Sequence, residues 1–332
     1  MGKPTSPEAR FPPVSCFTIP PTGRPHSMNP ALQHASDPNQ ESGFVPLFNG
    51  RDLAGWHSIP RVYSALWAGG PTIEEAFAHL PESERFSADF LASSHHNQAR
   101  WTVEDGVIVG RQNQPGGGFG GFLLTDETYS DFELRLEANL SWPADSGVLV
   151  RKTATTWQGI QILLDYRKSG NIGGYYGNGI GAFHAVAFNL DAEVDADGTL
   201  IRLFEEDPST TIEPIGDKRA LLSYGAGAAE FLGAWRLNEW NDIWIRVEGR
   251  LPRLTTWING TKISAIDLAG LSAPNYDAEA TAELLGREGH IALEVHDTDP
   301  MLKEARWGRD STCRWRNVRI RELAPRPVGS IA

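Results

Sequence analysis

Residues 131–140 read DFELRLEANL, and their alternation decides the fold class. Phe132, Leu134, Leu136 and Ala138 occupy every second position, and each residue between them is charged. Successive side chains of a β-strand point to opposite faces, so this pattern predicts a strand that gives one face to a core. Such a strand is typical of an antiparallel sheet with one buried face and one polar face.

The flanking sequence extends this interpretation in both directions. Residues 147–151 and 160–165 are more continuously apolar, as the central strands of a sandwich are. Asp-Gly at 105–106 and Asn-Gly at 259–260 each separate short runs of β-forming residues, which predicts hairpins. Many short strands, little helix and no fixed-period repeat predict an all-β protein, an antiparallel β-sandwich or barrel.

The composition excludes several classes of function. The 332 residues include 30 Lys+Arg and 42 Asp+Glu, and the resulting net charge of −12 argues against a nucleic-acid partner or a membrane surface. Two cysteines, Cys16 and Cys313, are too few for a disulfide scaffold or a Cys-rich zinc site. No apolar run reaches the roughly 18 residues of a transmembrane helix. No signal peptide is visible, and the compartment stays open.

The sequence divides into one predicted domain and two tails. Residues 1–43 are rich in proline and are predicted to form a disordered tail. A single β-sandwich domain is predicted over 44–324, followed by a tail at 325–332. Two irregular stretches, at about 59–98 and about 189–232, are interpreted as insertions of loop and short helix on the β scaffold.

Two local patterns give more specific predictions. Thr72 with Glu75 three residues later is a capping box, which predicts a short helix within the first insertion. The Gly-rich stretch Ser169–Gly181 is predicted to be a loop. It lacks the Gly-Lys-Ser/Thr ending and the following helix of a phosphate-binding loop, so a phosphate site is not expected there.

An ordered set of short motifs between Phe44 and Leu323 resembles the 3-keto-disaccharide hydrolase family. The motifs include Leu47-Phe48-Asn49-Gly50, Gly55-Trp56, Trp101-Thr102-Val103-Glu104-Asp105-Gly106, Asp131-Phe132-Glu133-Leu134-Arg135-Leu136-Glu137, Asp145-Ser146-Gly147-Val148, Glu239-Trp240-Asn241, Gly289-His290-Ile291-Ala292-Leu293-Glu294-Val295-His296 and Arg316-Asn317-Val318-Arg319-Ile320-Arg321-Glu322-Leu323. The resemblance implies a concanavalin A-like jelly roll of two curved antiparallel sheets with a sugar-sized groove on the concave face. It also implies a glycoside substrate that a separate dehydrogenase has oxidised at C3.

Four positions depart from the family pattern. Asp145 stands where the family usually has Asn before Ser-Gly, and Glu294 replaces the usual Gln before x-His. In the central strand, Gln161 and Leu163 occupy the positions of the usual Glu and Gln. These departures predict a divergent member with a rearranged groove.

A ketone at C3 determines the chemistry that such a groove must perform. The carbonyl acidifies the proton on C2, so a general base can remove it, and the C1 substituent then leaves by β-elimination before water adds back. The predicted function is therefore a hydrolase or lyase of 3-keto-glycosides. Two other functions stay open: a non-catalytic carbohydrate-binding jelly roll, and a glycosidase that acts on unoxidised sugars.

Strand parity, the alternation of side chains between the two faces of a strand, selects the candidate catalytic residues. Glu294 and His296 share one strand face, and polar residues in otherwise apolar strands line either the groove or the outer surface. We expect Glu137, Gln161, Glu294 and His296 to converge in the groove. Glu137, Glu294 and His296 are the predicted catalytic residues, and Glu137, Gln161 and His296 could hold a divalent metal ion as a cofactor. The alternatives are an outer-surface position for Glu137 and a core role for His296.

Further residues are predicted to bind the sugar. Arg151 could anchor a hydroxyl or the keto oxygen, or could pair with a surface acid. Loops usually determine specificity, and Trp157 could stack on a sugar ring. The predicted substrate-binding residues are Arg151, Gln161, Asp165, Tyr176, His184 and Trp157. The predicted partners are a small carbohydrate substrate and the upstream 3-dehydrogenase, with no nucleic acid and no membrane; the oligomeric state stays open.

Overall fold

The strand predicted over 131–140 lies within the larger of two antiparallel sheets. The structure, a computed structural model, describes residues 42–79, 81, 87–115, 118–165, 167–211, 214–298 and 307–324. Most of the predicted N-terminal tail and all of the C-terminal one lie outside these residues. No helix of the described ranges is long and apolar enough to cross a membrane.

Eighteen strands, five α-helices and a 3₁₀-helix (Leu268–Gly270) are described within those ranges. The strands are β1 (Val45–Pro46), β2 (Trp56–Pro60), β3 (Arg100–Glu104), β4 (Val107–Arg111), β5 (Gly121–Thr125), β6 (Phe132–Leu140), β7 (Asp145–Lys152), β8 (Gly159–Asp165), β9 (Ile172–Asn178), β10 (His184–Ala185), β11 (Leu190–Val194), β12 (Leu200–Glu205), β13 (Tyr224–Gly225), β14 (Asn241–Glu248), β15 (Arg253–Ile258), β16 (Thr261–Asp267), β17 (His290–Val295) and β18 (Cys313–Glu322). The helices are α1 (Ile73–Phe77), α2 (Ala88–Ser94), α3 (Ile215–Ala220), α4 (Ala228–Ala234) and α5 (Ala278–Leu285).

Two sheets form the sandwich. The nine-stranded sheet has the order β13-β16-β15-β14-β6-β18-β4-β3, with β1 beside β18. The seven-stranded sheet has the order β10-β9-β8-β7-β17-β5-β2, and β11 and β12 form a separate ribbon. The hairpins predicted at 105–106 and 259–260 connect antiparallel neighbours. The predicted all-β, concanavalin A-like antiparallel sandwich is therefore confirmed.

The core lies between the two sheets and takes alternate side chains from each. Leu134 and Leu136 of β6 are almost fully buried in the same cluster as Val148, Ile162 and Leu293 of the smaller sheet. Because side chains alternate along a strand, the residues between these core positions face outward from each sheet. The outward side of the seven-stranded sheet is called the outer face below.

The first insertion packs on this outer face. An apolar cluster joins the sheet to the insertion, and its insertion members are Ile59, Tyr63, Leu66, Ile73, Phe77 and Leu91. The predicted capping box is present: the Glu75 amide donates to the Thr72 hydroxyl, and the Thr72 amide donates to the Glu75 carboxylate. The insertion is therefore anchored to the sandwich by its own small core.

The Gly-rich stretch is a strand, so the predicted loop over Ser169–Gly181 is wrong for most of its length. Residues 172–178 form β9 between β8 and β10. A Cβ on Gly173 would lie 2.9 Å from Ile263, and one on Gly177 would lie 2.4 Å from the Phe183 ring. Gly173 has a φ of 90°, which favours glycine, and the Phe183 ring fills the space above Gly177.

Arg151 is enclosed in the fold and does not line a groove, which corrects its predicted sugar contact. The residue has φ of 51° at an irregular point of β7, and its side chain is fully buried. Its guanidinium donates to the carbonyl oxygens of Tyr129 (2.7 Å), Ser130 and Gly249 (3.0 Å) and lies 3.5 Å from the Asp131 carboxylate. The backbone irregularity turns this side chain away from the face that strand parity assigns.

We expect Arg151→Met to lower the free energy of unfolding by about 3 kcal/mol, because it removes a buried guanidinium that donates to three carbonyl oxygens and is a charged partner of the buried Asp131. Urea denaturation measures this change. Arg253→Met is the matched control: the Arg253–Asp267 pair is exposed, so its loss should change stability by less than about 0.5 kcal/mol. Equal losses in the two variants would contradict the structural role of Arg151.

Candidate functional site

The register of β17 places two predicted residues on the outer face. Leu293 and Val295 point into the core, so Glu294 and the following His296 point outward. Glu294 pairs with Gly147 of β7 on one side and with Phe122 of β5 on the other. Glu294 therefore lies near the middle of the sheet and is completely buried.

Four more predicted residues lie on the same face. Gln161 of β8 pairs with Tyr176 of β9, which pairs with His184 of β10. Asp165 pairs with Asp145 at the far end of β8, in the direction of His296. The structure thus brings Gln161, Asp165, Tyr176, His184, Glu294 and His296 to one side of one sheet.

Glu137 lies elsewhere, and the predicted convergence with His296 is wrong in this respect. It projects from the outward side of the nine-stranded sheet, where it accepts hydrogen bonds from Arg316 (2.7 Å) and Asn317 (2.6 Å). Strand parity correctly places Glu137 opposite Leu136, but parity does not say to which sheet a strand belongs. Glu137 therefore lies outside this site and is neither a catalytic residue nor a metal ligand in it.

The predicted metal set of Glu137, Gln161 and His296 is accordingly not formed. Among the described residues, no three His, Cys, Asp or Glu groups are arranged to hold a metal ion. The carboxylates near His296 are already engaged by arginines, because Asp145 pairs with Arg167 and Asp297 pairs with Arg61. A bound divalent ion remains a prediction.

Arg61 is the central residue that sequence reasoning missed. Its side chain is 4% exposed, and its Nε donates to Glu294 Oε1 at 2.8 Å. Its terminal nitrogen donates to Asp297 Oδ2 at 3.2 Å and contacts the Tyr63 hydroxyl. Arg61 follows β2 directly, but its partner Glu294 lies 233 positions later, so no local pattern could have identified the pair.

Trp157 packs beneath the same arginine. Its ring centroid lies 5.3 Å from that of Tyr63 and 5.7 Å from the Arg61 guanidinium carbon. The side chain is buried within the apolar cluster of the insertion. The prediction that Trp157 stacks on a sugar ring is therefore corrected: its position gives it a supporting role, holding Tyr63 and Arg61 in place.

The His296 imidazole has a defined hydrogen-bonding pattern. Nδ1 lies 2.7 Å from the backbone oxygen of Asp297, and because a carbonyl oxygen only accepts, Nδ1 carries the proton. In the neutral ring the lone pair is then on Nε2, which lies 3.8 Å from Asp145 Oδ2. Arg167 donates to Asp145 (3.0 Å) and to Asp165 (2.7 Å), so one guanidinium joins the two paired aspartates.

Burial perturbs the titration of several groups at this site, and it raises the pKa of Asp297 as well as that of Glu294. It is the main cause that raises the pKa of Glu294 to about 7; the Arg61 charge lowers that pKa, and the charges of Asp145 and Asp297 raise it. Glu294 Oε2 is buried and has no hydrogen-bond partner among the described residues. Burial likewise lowers the pKa of Lys152 to about 7, opposed by Glu294.

Lys152 was also missed by sequence reasoning. Its ammonium lies 4.7 Å from the centre of the Phe122 ring and donates to the carbonyl oxygens of Thr153 (2.6 Å) and Thr156. These contacts fold the side chain over the turn that follows β7. Lys152 therefore adds charge near Glu294 while its nitrogen is held by backbone oxygens.

The remaining predicted contacts differ in their accessibility. Gln161 lies over Gly147, where a Cβ would be 2.6 Å from its Cγ, and it accepts a hydrogen bond from Asn178 at 3.0 Å. Tyr176 and His184 form an edge-to-face pair at 5.9 Å and are half-buried. The polar face thus runs from the enclosed Glu294 towards a more exposed aromatic pair at the β10 edge.

Comparison with known proteins identifies a family. The family model described as "3-keto-alpha-glucoside-1,2-lyase-like domain" matches residues 43–321. No curated protein matches the chain.

Several solved structures are similar over most of the chain. A Parabacteroides distasonis protein, named provisionally as a glycosyl hydrolase, is 16% identical, with 86% of this chain and 96% of that chain covered and a TM-score of 0.41. A Bacillus licheniformis β-glucanase is 9% identical over 85% and 97% of the two chains, with a TM-score of 0.39. A Bacillus subtilis carbohydrate-binding module is 14% identical over 68% and 92%, with a TM-score of 0.35.

The raised pKa of Glu294 predicts how stability depends on pH. A carboxyl group whose pKa rises on folding from 4.5 to about 7 stabilises the fold fully below pH 4.5 and loses that contribution as the pH rises through 7. We therefore expect the wild type to lose on the order of 3 kcal/mol relative to Glu294→Gln between pH 4 and 8, since one pKa unit is about 1.4 kcal/mol. Urea denaturation at a series of pH values measures the difference.

Glu137→Gln is the control for this titration, because Glu137 is a partly exposed carboxylate on the opposite sheet. Comparing the two variants separates the removal of a buried carboxyl group from the removal of a carboxyl group on the opposite sheet. If the stability curve of Glu294→Gln ran parallel to that of the wild type, Glu294 would titrate normally and the burial argument would be wrong.

Proposed function

We propose that this chain, which belongs to the 3-keto-alpha-glucoside-1,2-lyase-like domain family, cleaves glycosides that carry a ketone at C3 of the sugar ring. Family membership supports a carbohydrate-acting hydrolase or lyase; the 3-keto specificity is the finer part of the proposal. The observation that carries it is the His296 imidazole, held in one tautomer beside a buried carboxyl group of raised pKa on the outer face. α-Proton abstraction followed by elimination needs a base and an acid.

His296 is the proposed base. With its proton on Nδ1, the neutral ring presents Nε2 as the proton acceptor, and Asp145 at 3.8 Å stabilises the imidazolium that forms. Nε2 takes the proton from C2 of the sugar, and the electron pair of the C2–H bond forms an enolate with the C3 ketone. Arg167 keeps Asp145 in place during this charge separation.

Glu294 is the proposed acid. Its pKa of about 7 keeps a share of the molecules protonated at neutral pH, and its Oε2 has no partner among the described residues. When the enolate collapses, C3=O reforms, a C1=C2 double bond forms and the C1–O bond breaks. The leaving oxygen takes the proton of Glu294, and water then adds to C1 with a proton returning to C2. The lyase product is the unsaturated ketone, and the hydrolase product is the 3-keto sugar.

The other residues of the outer face bind the substrate in this proposal. Gln161 and Asp165 offer an amide and a carboxylate to the sugar hydroxyls, and Tyr176 with His184 contacts the leaving group at the more exposed edge. Positioning of this kind places C2 against the base and contributes to the rate without further chemistry.

Turnover of a methyl 3-keto-glucoside tests the proposal, with the unoxidised glucoside as the comparison and with and without a chelator. We expect cleavage of the 3-keto substrate alone, giving either the unsaturated ketone or, where water adds, a 3-keto sugar with deuterium from D₂O at C2. His296→Gln should lower kcat by roughly 100- to 10,000-fold, as expected when a general base is removed. Glu137→Gln, on the opposite sheet, should keep wild-type activity.

The alternatives give different results in the same assay. Cleavage of the unoxidised glucoside alone, without deuterium at C2, would show a glycosidase and overturn the elimination mechanism. Sugar binding measured by calorimetry without turnover of either substrate would show a carbohydrate-binding protein. Loss of activity in the chelated sample that added Mg²⁺ or Mn²⁺ restores would identify a metal-dependent step.

A further inference from the structure

The insertion crosses the outer face as a backbone-bonded segment, Arg61–Leu66, named the strap here. The Trp157 amide donates to the Val62 carbonyl at 3.1 Å, and the Gly181 amide donates to the Leu66 carbonyl at 3.1 Å. Gln158 also donates to the Ser64 hydroxyl at 2.7 Å. The strap therefore runs from the end of β2 to the turn that follows β9, and it begins at Arg61.

Asp297 is held by the strap on one side and by the sheet on the other. Its carboxylate accepts from Arg61 at 3.2 Å and from the backbone amide of Gly120 at 2.6 Å, and the Tyr63 hydroxyl also bonds to it. The same residue presents its backbone oxygen to Nδ1 of His296. Fixing the Asp297 side chain therefore also fixes the carbonyl group that determines the imidazole tautomer.

Arg61 joins this contact to Glu294 through a single planar group. Its Nε donates to Glu294 and its terminal nitrogen donates to Asp297. One guanidinium therefore holds a residue before His296 and the residue directly after it. The Tyr63 ring lies 4.7 Å from the guanidinium carbon and limits its rotation. A lysine carries the same charge but has no rigid fork, so it cannot hold both carboxylates in this geometry.

We propose that Arg61 is a positioning residue of this site: through Asp297 it orients His296 with its lone pair on Nε2, and it holds Glu294 beside it. The proposal deepens the proposed function and rests on it for the catalytic consequence, whereas the orientation of His296 is independent of any activity. In this proposal the insertion contributes a functional residue to the site in addition to covering the sheet.

The test measures the tautomer of His296 by ¹⁵N NMR of the ring, at a pH above the imidazole pKa. The wild type should show the Nδ1–H form. Arg61→Met should shift the population towards the Nε2–H form that histidine prefers in water, and Arg61→Lys should give a mixture of the two forms. Arg253→Met, which removes an exposed arginine far from this contact, should match the wild type.

Arg61→Lys keeps the test decisive if Arg61→Met does not fold, because the charge is retained. A folded variant with the wild-type tautomer would overturn the proposal. Turnover adds a second readout: kcat of Arg61→Lys on the 3-keto substrate should fall about tenfold with KM unchanged, and an unchanged kcat would contradict the positioning role. If the Arg61 variants changed the tautomer but the wild type turned over neither sugar, the positioning role would be supported and the proposed function would be wrong.

Discussion

Alternation along the strands is the constraint on which the rest of this structure depends. Two sheets share one core, so every strand must give each second side chain to it and the others to an outward side. In β17, Leu293 and Val295 pack in the core, so Glu294 between them points to the outer face. The candidate site is the set of polar side chains that this rule leaves on one side of the seven-stranded sheet.

The same rule explains what could be predicted from the sequence and where prediction failed. The relative placement of Glu294 and His296, and of Gln161 and Asp165, follows from spacing alone. Spacing does not identify the sheet to which a strand belongs. The strand that contains Glu137 is predicted correctly, but it belongs to the other sheet, so Glu137 lies on the far side of the sandwich. Sheet membership depends on pairing between distant segments, which the sequence pattern of one strand does not contain.

Two further failures came from places where the backbone departs from regular alternation or composition. Arg151 has a positive φ at an irregular point of β7, and the side chain turns into the fold. The glycines of β9 suggested a loop, yet they accommodate the positive φ of Gly173 and close approaches such as that of the Phe183 ring to Gly177. Both features are set by tertiary packing, and a single sequence carries no local signal for either.

The charges of the site show why the insertion is needed. Removing an ion from water costs several kcal/mol, so the buried carboxylates Glu294 and Asp297 require a partner that is also removed from water. The sandwich strands supply Lys152 beside Glu294, but backbone oxygens hold its ammonium. Arg61 supplies the missing charge from outside the sheet.

One cation shared by two carboxylates does not neutralise both, and this has a consequence for the chemistry. Burial disfavours the excess negative charge, and a proton retained by a carboxyl group removes it. The pKa of Glu294 therefore rises to about 7 in spite of its contact with Arg61. The same strand end leads into His296, whose Nδ1 bonds to the Asp297 carbonyl oxygen. In the proposed mechanism, the carboxyl group that retains a proton to relieve buried charge is also the acid that protonates the leaving oxygen.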